Sequence, residues 1–174
     1  MILLSKKTKI IIFSSISLNI ILISIVIWSI IQMNYITERT LKTNAIDKLF
    51  ELHETIAKQE NGNWDNLDLL SNVLQDTGFS ISHAANVGVT IKTINNDDSE
   101  ALLEFGGYLL RLSFSINDQS IPTEAIERKK SDLVELNSIL TEEGFDNYVT
   151  FDNWTTKYYL TKIKSILSKF EDLE

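Results

Sequence analysis

Residues 79–117 read FSISHAANVGVTIKTINNDDSEALLEFGGYLLRLSFSIN, and the fold class turns on whether this stretch is strand or helix. Phe79, Ile81 and His83 alternate with Ser80 and Ser82, and Val87, Val89 and Ile91 alternate with Gly88, Thr90 and Lys92. A period of two is the pattern of a half-buried strand. Asn95 to Ser99 reads as a polar turn. Beyond it, Glu100 to Asn117 reads either as one strand kinked at Gly106-Gly107 or as two strands joined by a Gly-Gly primed turn. Tyr108, Leu110, Leu112, Phe114 and Ile116 then share one face, and Leu109, Arg111, Ser113 and Ser115 the other.

The flanking segments carry a helical period. Thr37 to about Gln59 places Leu41, Ala45, Leu49, Leu52 and Ile56 on one face. After the Asn61-Gly62-Asn63 turn, Trp64 to Thr77 buries Leu67, Leu70, Val73 and Leu74, with Gly78 as a left-handed stop. Pro122 opens a third helix, Thr123 to Glu142, with Ile126, Leu133, Leu136, Ile139 and Leu140 inward and Gly144 as its cap. Phe145 to Phe151 reads as a short last strand. From Asp152 or Asn153 a final helix carries a seam of Tyr159, Ile163, Ile166, Phe170 and Leu173, spacing that suits a partner helix. Leu67, Leu70, Val73, Leu74, Gly78 and Phe79 recur 66 residues later as Leu133, Leu136, Ile139, Leu140, Gly144 and Phe145. Any amphipathic helix with a glycine stop before a strand produces such a match. The expected fold is therefore α+β: one N-terminal transmembrane helix, then a single exported domain of about four helices on a small, mainly antiparallel sheet.

The transmembrane expectation rests on residues 10–31, a 22-residue window with no charge, in which 16 positions are Ile, Leu, Val, Phe or Trp and six are Ser or Asn. A helix of that length rises roughly 33 Å, enough to cross a bilayer once. The window is too long for a signal-peptide core and is followed by Met33 and Tyr35 rather than a small-residue cleavage site. Lys6, Lys7 and Lys9 crowd its near end, which favours a cytoplasmic N-terminus, and Trp28 and Tyr35 suit the far interface. The expected organisation is a basic tail (1–9), a signal anchor (10–31), a juxtamembrane helix (32–60) and an extracytoplasmic domain (61–174) in a bacterial inner membrane. The 24 Ile and 14 Asn resemble the usage of an AT-rich bacterial genome.

Residues 32–174 hold 13 bases and all 24 acids, a formal charge of -11. Phosphate contacts need a basic surface, so nucleic acid is not an expected partner. With no Cys and two His, the chain lacks a thiol nucleophile, a lipidation site and a compact zinc set. Asn95-Asn96-Asp97-Asp98 before Glu100 lacks the spacing and central glycine of a calcium loop. Gly106-Gly107 has neither the lysine nor the helix start of a phosphate loop. Ser80 and Ser82 lie on the opposite strand face from His83, and no two of the 24 acids stand out as a hydrolytic pair. No catalytic residue, metal or cofactor is expected.

Recognition residues are better represented. Trp64, Trp154, Tyr158 and Tyr159 stand at helix beginnings and are types enriched in interface hot spots, so they are the candidate partner contacts. His53 and His83 are candidate pH-sensing groups. The expected function is an anchored accessory protein that binds and stabilises or regulates another membrane or exported protein. This layout of short tail, one helix and exported domain resembles that of companions of membrane-bound transcription activators in Gram-negative bacteria. The alternatives are an anchored immunity protein against an exported toxin, whose basic surface the acidity would suit, and a cell-envelope hydrolase.

Overall fold

The computed structural model describes residues 5–116, 122–146 and 154–171. The order is α1 (Lys6–Leu41), a π-helical segment (Lys42–Ile46), α2 (Asp47–Asn61), α3 (Leu67–Thr90), α4 (Asn96–Ile116), α5 (Thr123–Glu142) and α6 (Thr156–Glu171). The chain divides into two compact units, Met1–Ile36 and Thr37–Glu174.

Among the described residues of the first unit, every side chain from Lys9 to Ile31 is exposed. Water would penalise that surface heavily, whereas lipid would not. The Ser24 hydroxyl donates to the carbonyl of Ile20 at 2.9 Å, so this polar group is satisfied within the helix. The helix is long and apolar enough to cross a membrane.

The second unit is all helix among the described residues, and this corrects the α+β expectation. No sheet exists there. The stretch 79–116 that reads as strands forms the second half of α3 and all of α4. Two capping asparagines start these helices: Asn66 Oδ1 accepts from the N–H of Leu69 at 3.0 Å, and Asn95 Oδ1 from that of Asp98 at 2.7 Å. Asp97 and Asp98 in the first turn of α4 complement its dipole. Along α3 the buried positions are Leu70, Val73, Leu74, Thr77, Gly78, Ile81, Ala84, Ala85 and Gly88, which is a helical period once small residues count as inward.

Glycine explains the misreading. A helix-interior glycine costs about 1 kcal/mol relative to alanine, so Gly78 and Gly106 read as breaks. Here they face each other. A Cβ on Gly78 would stand 2.8 Å from the carbonyl oxygen of Gly106, and one on Gly106 would stand 2.5 Å from Ser82 Oγ and 2.8 Å from the carbonyl oxygen of Gly78. The backbones of α3 and α4 approach more closely than any other side chain would permit. Gly144 is different: at φ +89° it ends α5 as expected, with the N–H of Phe145 donating to Leu140 O at 2.8 Å. The apparent repeat therefore pairs a crossing glycine with a capping one, which removes the resemblance.

The π-helical segment also has a sequence cause. Thr37, Leu41, Ala45 and Leu49 are all buried and lie four apart. Each step of four overshoots an α-turn by roughly 40°, so three steps would carry the last residue to the side of the helix. The wider turn at Lys42–Ile46 takes up that excess.

Leu49, Leu52 and Ile56 of α2, Leu70, Leu74 and Ile81 of α3, and Leu102, Phe105 and Leu109 of α4 pack with Leu133, Leu136 and Leu140 of α5 and Tyr159, Ile163 and Ile166 of α6 into one core. The α3–α4 hairpin is its largest interface; α2 lies against α3 and α5, and α6 against α4 and α5. The expected strand 145–151 is absent where described, because Phe145 and Asp146 lie in a turn; residues 147–151, Asp152, Asn153 and Leu173 lie outside the described residues. The α6 seam does find its partner within the fold, since Tyr159, Ile163 and Ile166 are buried in this core.

Candidate functional site

The four aromatic residues expected at a partner surface separate into different environments. Trp154 is buried and stands edge-on to Phe145 at 5.3 Å and to Tyr158 at 4.8 Å, while Phe145 meets Phe50 at 6.4 Å. This ladder ties the start of α6 to the end of α5 and to α2. Tyr159 is fully buried, and its hydroxyl has no hydrogen-bond partner among the described residues; burial pushes its pKa up. Trp64 is half-buried at the α2–α3 corner, in the left-handed region at φ 62°, with its N–H donating to Gln59 O at 2.7 Å. Of the four, Tyr158 alone is exposed, and the Lys162 ammonium stands 5.4 Å from its ring centre.

Next to the ladder, Glu143 gathers three donors. Its Oε1 accepts from Lys169 Nζ at 2.8 Å and from Ser165 Oγ at 2.7 Å, and its Oε2 accepts from Lys162 Nζ at 3.0 Å. The side chain is 9% exposed. Burial alone would raise its pKa, but the hydrogen bonds from Lys169, Ser165 and Lys162 outweigh that and hold the carboxyl at about 2. A carboxylate so fixed clamps α6 to the α5 turn.

The two histidines stand on different helices. His53, on α2, is half-buried with Nε2 3.0 Å from Thr141 Oγ1; burial lowers its pKa, and Asp146 and Glu54 pull it partly back. His83 is exposed on α3.

The surface that sequence reasoning missed is the outer face of the α3–α4 hairpin. Gly78 opposes Gly106, and Ser71 Oγ donates to the carbonyl of Ser113 at 2.8 Å, which fixes the register. That register sets Phe79 level with the turn carrying Leu103 and Gly107. Phe79 (55% exposed), Leu103 (41%) and Phe114 (62%) remain in the open, and half-buried Leu110 lies between the last two. Towards the hairpin's tip a cleft opens between Asn86 and Val89 of α3 and Ser99, Glu100, Leu103 and Glu104 of α4. The signal was present: α4 carries more large apolar residues than one helix face can bury, and the excess falls on Leu103, Leu110 and Phe114. Reading the stretch as strand concealed it.

No protein-family model, curated protein or solved structure matches this chain.

Proposed function

We propose that the chain is a single-pass, membrane-anchored accessory protein, without catalytic activity, whose helical domain binds and stabilises or regulates a partner membrane or exported protein. The observation that carries this reading is the open row Phe79, Leu103 and Phe114 on the outer face of the α3–α4 hairpin, Phe114 and Phe79 being the two most exposed large apolar side chains among the described residues of the second unit. The uncharged window 10–31 anchors it, with Lys6, Lys7 and Lys9 inside and the -11 portion, residues 32–174, outside. A second reading, an anchored inhibitor of a basic toxin, is favoured by the same acid surplus.

Two measurements test the proposal. The chain has no cysteine, so a Ser131→Cys variant at an exposed position of α5 supplies a single label site. An impermeant maleimide should modify it in cells with only the outer membrane opened; modification only after lysis would reverse the orientation. Crosslinking the tagged chain in its own membranes should yield a defined second protein at a fixed ratio. Recovery of this chain alone at every salt concentration would defeat the accessory role, and protection against one neighbouring toxin would select the second reading.

A further inference from the structure

Gly107 has no reason to be glycine within the described chain. A Cβ there would meet only Arg111 Nη1, at 3.6 Å, an ordinary contact with the end of a flexible side chain. Its helix-interior cost is therefore not offset by packing, unlike that of Gly78 and Gly106. Its position explains it: Gly107 lies on the outer face of α4 between Leu103 and Leu110, where the missing side chain leaves a notch. A notch flanked by exposed Leu103 and Phe114 suits the close approach of another helix. From Leu103 to Phe114 the row extends roughly 16 Å, about three helical turns.

The charge around the notch selects the kind of helix. Residues 67–116 carry six acids, Asp68, Asp76, Asp97, Asp98, Glu100 and Glu104, against Lys92 and Arg111. Asp76 is taken by Lys48 and Asp98 by Lys164. Glu100 and Glu104 are exposed on the cleft rim and have no ion-pair partner among the described residues. Arg111 is the base nearest Gly107, and Glu100 and Glu104 outnumber it, so a second copy of the chain would bring the same acid surplus to this rim and be repelled.

We propose that the outer groove of the α3–α4 hairpin seats a basic amphipathic helix of the partner, its apolar face on Phe79, Leu103 and Phe114, its closest approach at Gly107, and its bases toward Glu100 and Glu104. This rests on the accessory-protein reading and supplies its docking face.

The test uses the full chain in nanodiscs and two probes of about 18 residues, five helical turns. One is a helical peptide with Leu on one face and Lys on its flanks; the other is its twin with Glu for every Lys. The Lys peptide binds, more weakly as salt rises, and the Glu twin does not. Gly107→Leu fills the notch without touching the core and weakens binding by at least about tenfold, with thermal stability kept. Glu100→Lys with Glu104→Lys reverses the preference towards the Glu twin. Equal binding of the twins, unchanged binding by Gly107→Leu, or self-association of the chain that Gly107→Leu abolishes would each overturn the proposal. The two readings separate cleanly. A native partner captured equally by wild type and Gly107→Leu refutes the groove and keeps the accessory role; peptide binding as expected with no native partner keeps the groove and refutes the role.

Discussion

Gly78 and Gly106 face each other so closely that each carbonyl oxygen lies 2.8 Å from where the other's Cβ would stand. Backbone cannot retreat as a side chain can. Gly106→Ala should therefore cost about 1–3 kcal/mol, the range of an overpacked core site. Gly107→Ala, one position on, should instead stabilise by about 0.5–1 kcal/mol through helix propensity. Urea denaturation of the two variants checks both signs; equal effects would mean that the α3–α4 crossing is not as described.

Tyr159 buries a hydroxyl with no hydrogen-bond partner among the described residues. Tyr159→Phe keeps the ring and removes the desolvated oxygen, so stability should hold or rise by about 1 kcal/mol. Trp154→Ala, which empties the centre of the aromatic ladder, should cost about 3–4 kcal/mol. A loss for Tyr159→Phe comparable to that for Trp154→Ala would contradict this.

Glu143 titrates at about 2 in the fold, below the ordinary carboxyl value of 4.5. A depressed acid contributes stability that is present above its unfolded pKa and lost as pH falls through the folded one, so the window is pH 4.5 down to 2. After allowance for solvent screening, the contribution is about 2 kcal/mol. Denaturation midpoints measured across that window should fall in the wild type, and less steeply in Glu143→Gln.

His53 is shifted downward by burial, against the pull of Asp146 and Glu54. The fold therefore prefers the neutral ring, and stability should decline as pH drops below the ordinary value of 6.5. The slope between pH 7 and 5 should flatten in His53→Gln. An unchanged slope would remove His53 from any pH response.

Large side chains made much of this molecule legible. The uncharged window of α1 and the Leu-Ile period of α5 could be read directly, because the first is apolar all round over 22 residues and the second gathers its large apolar residues on one face. The α3–α4 hairpin could not. Its inward positions include Gly78, Ala84, Ala85, Gly88, Ser99, Gly106 and Ser113, which period counting scores as polar or as breaks. Close helix packing selects small residues, and small residues erase the hydrophobic period that reveals a helix. The same erasure hid the groove, since Leu103 and Phe114 become surplus only once Leu102, Phe105 and Leu109 have been assigned to the core. Trp154 and Tyr159 went the other way: their chemistry suited a partner, and the fold consumed it internally.

The wide turn at Lys42–Ile46 has a consequence for chain length. It holds one residue more than an α-helical turn would need, so a deletion of exposed Thr43 can be absorbed there by tightening the turn. The same deletion within α3, for example at exposed Asn72, turns everything before it by roughly 100° and pulls Leu70 off the core while Gly78 stays in place. Comparing expression and melting of the two single-residue deletions would show where this lineage could shorten without loss: the Thr43 deletion should fold, and the Asn72 deletion should not.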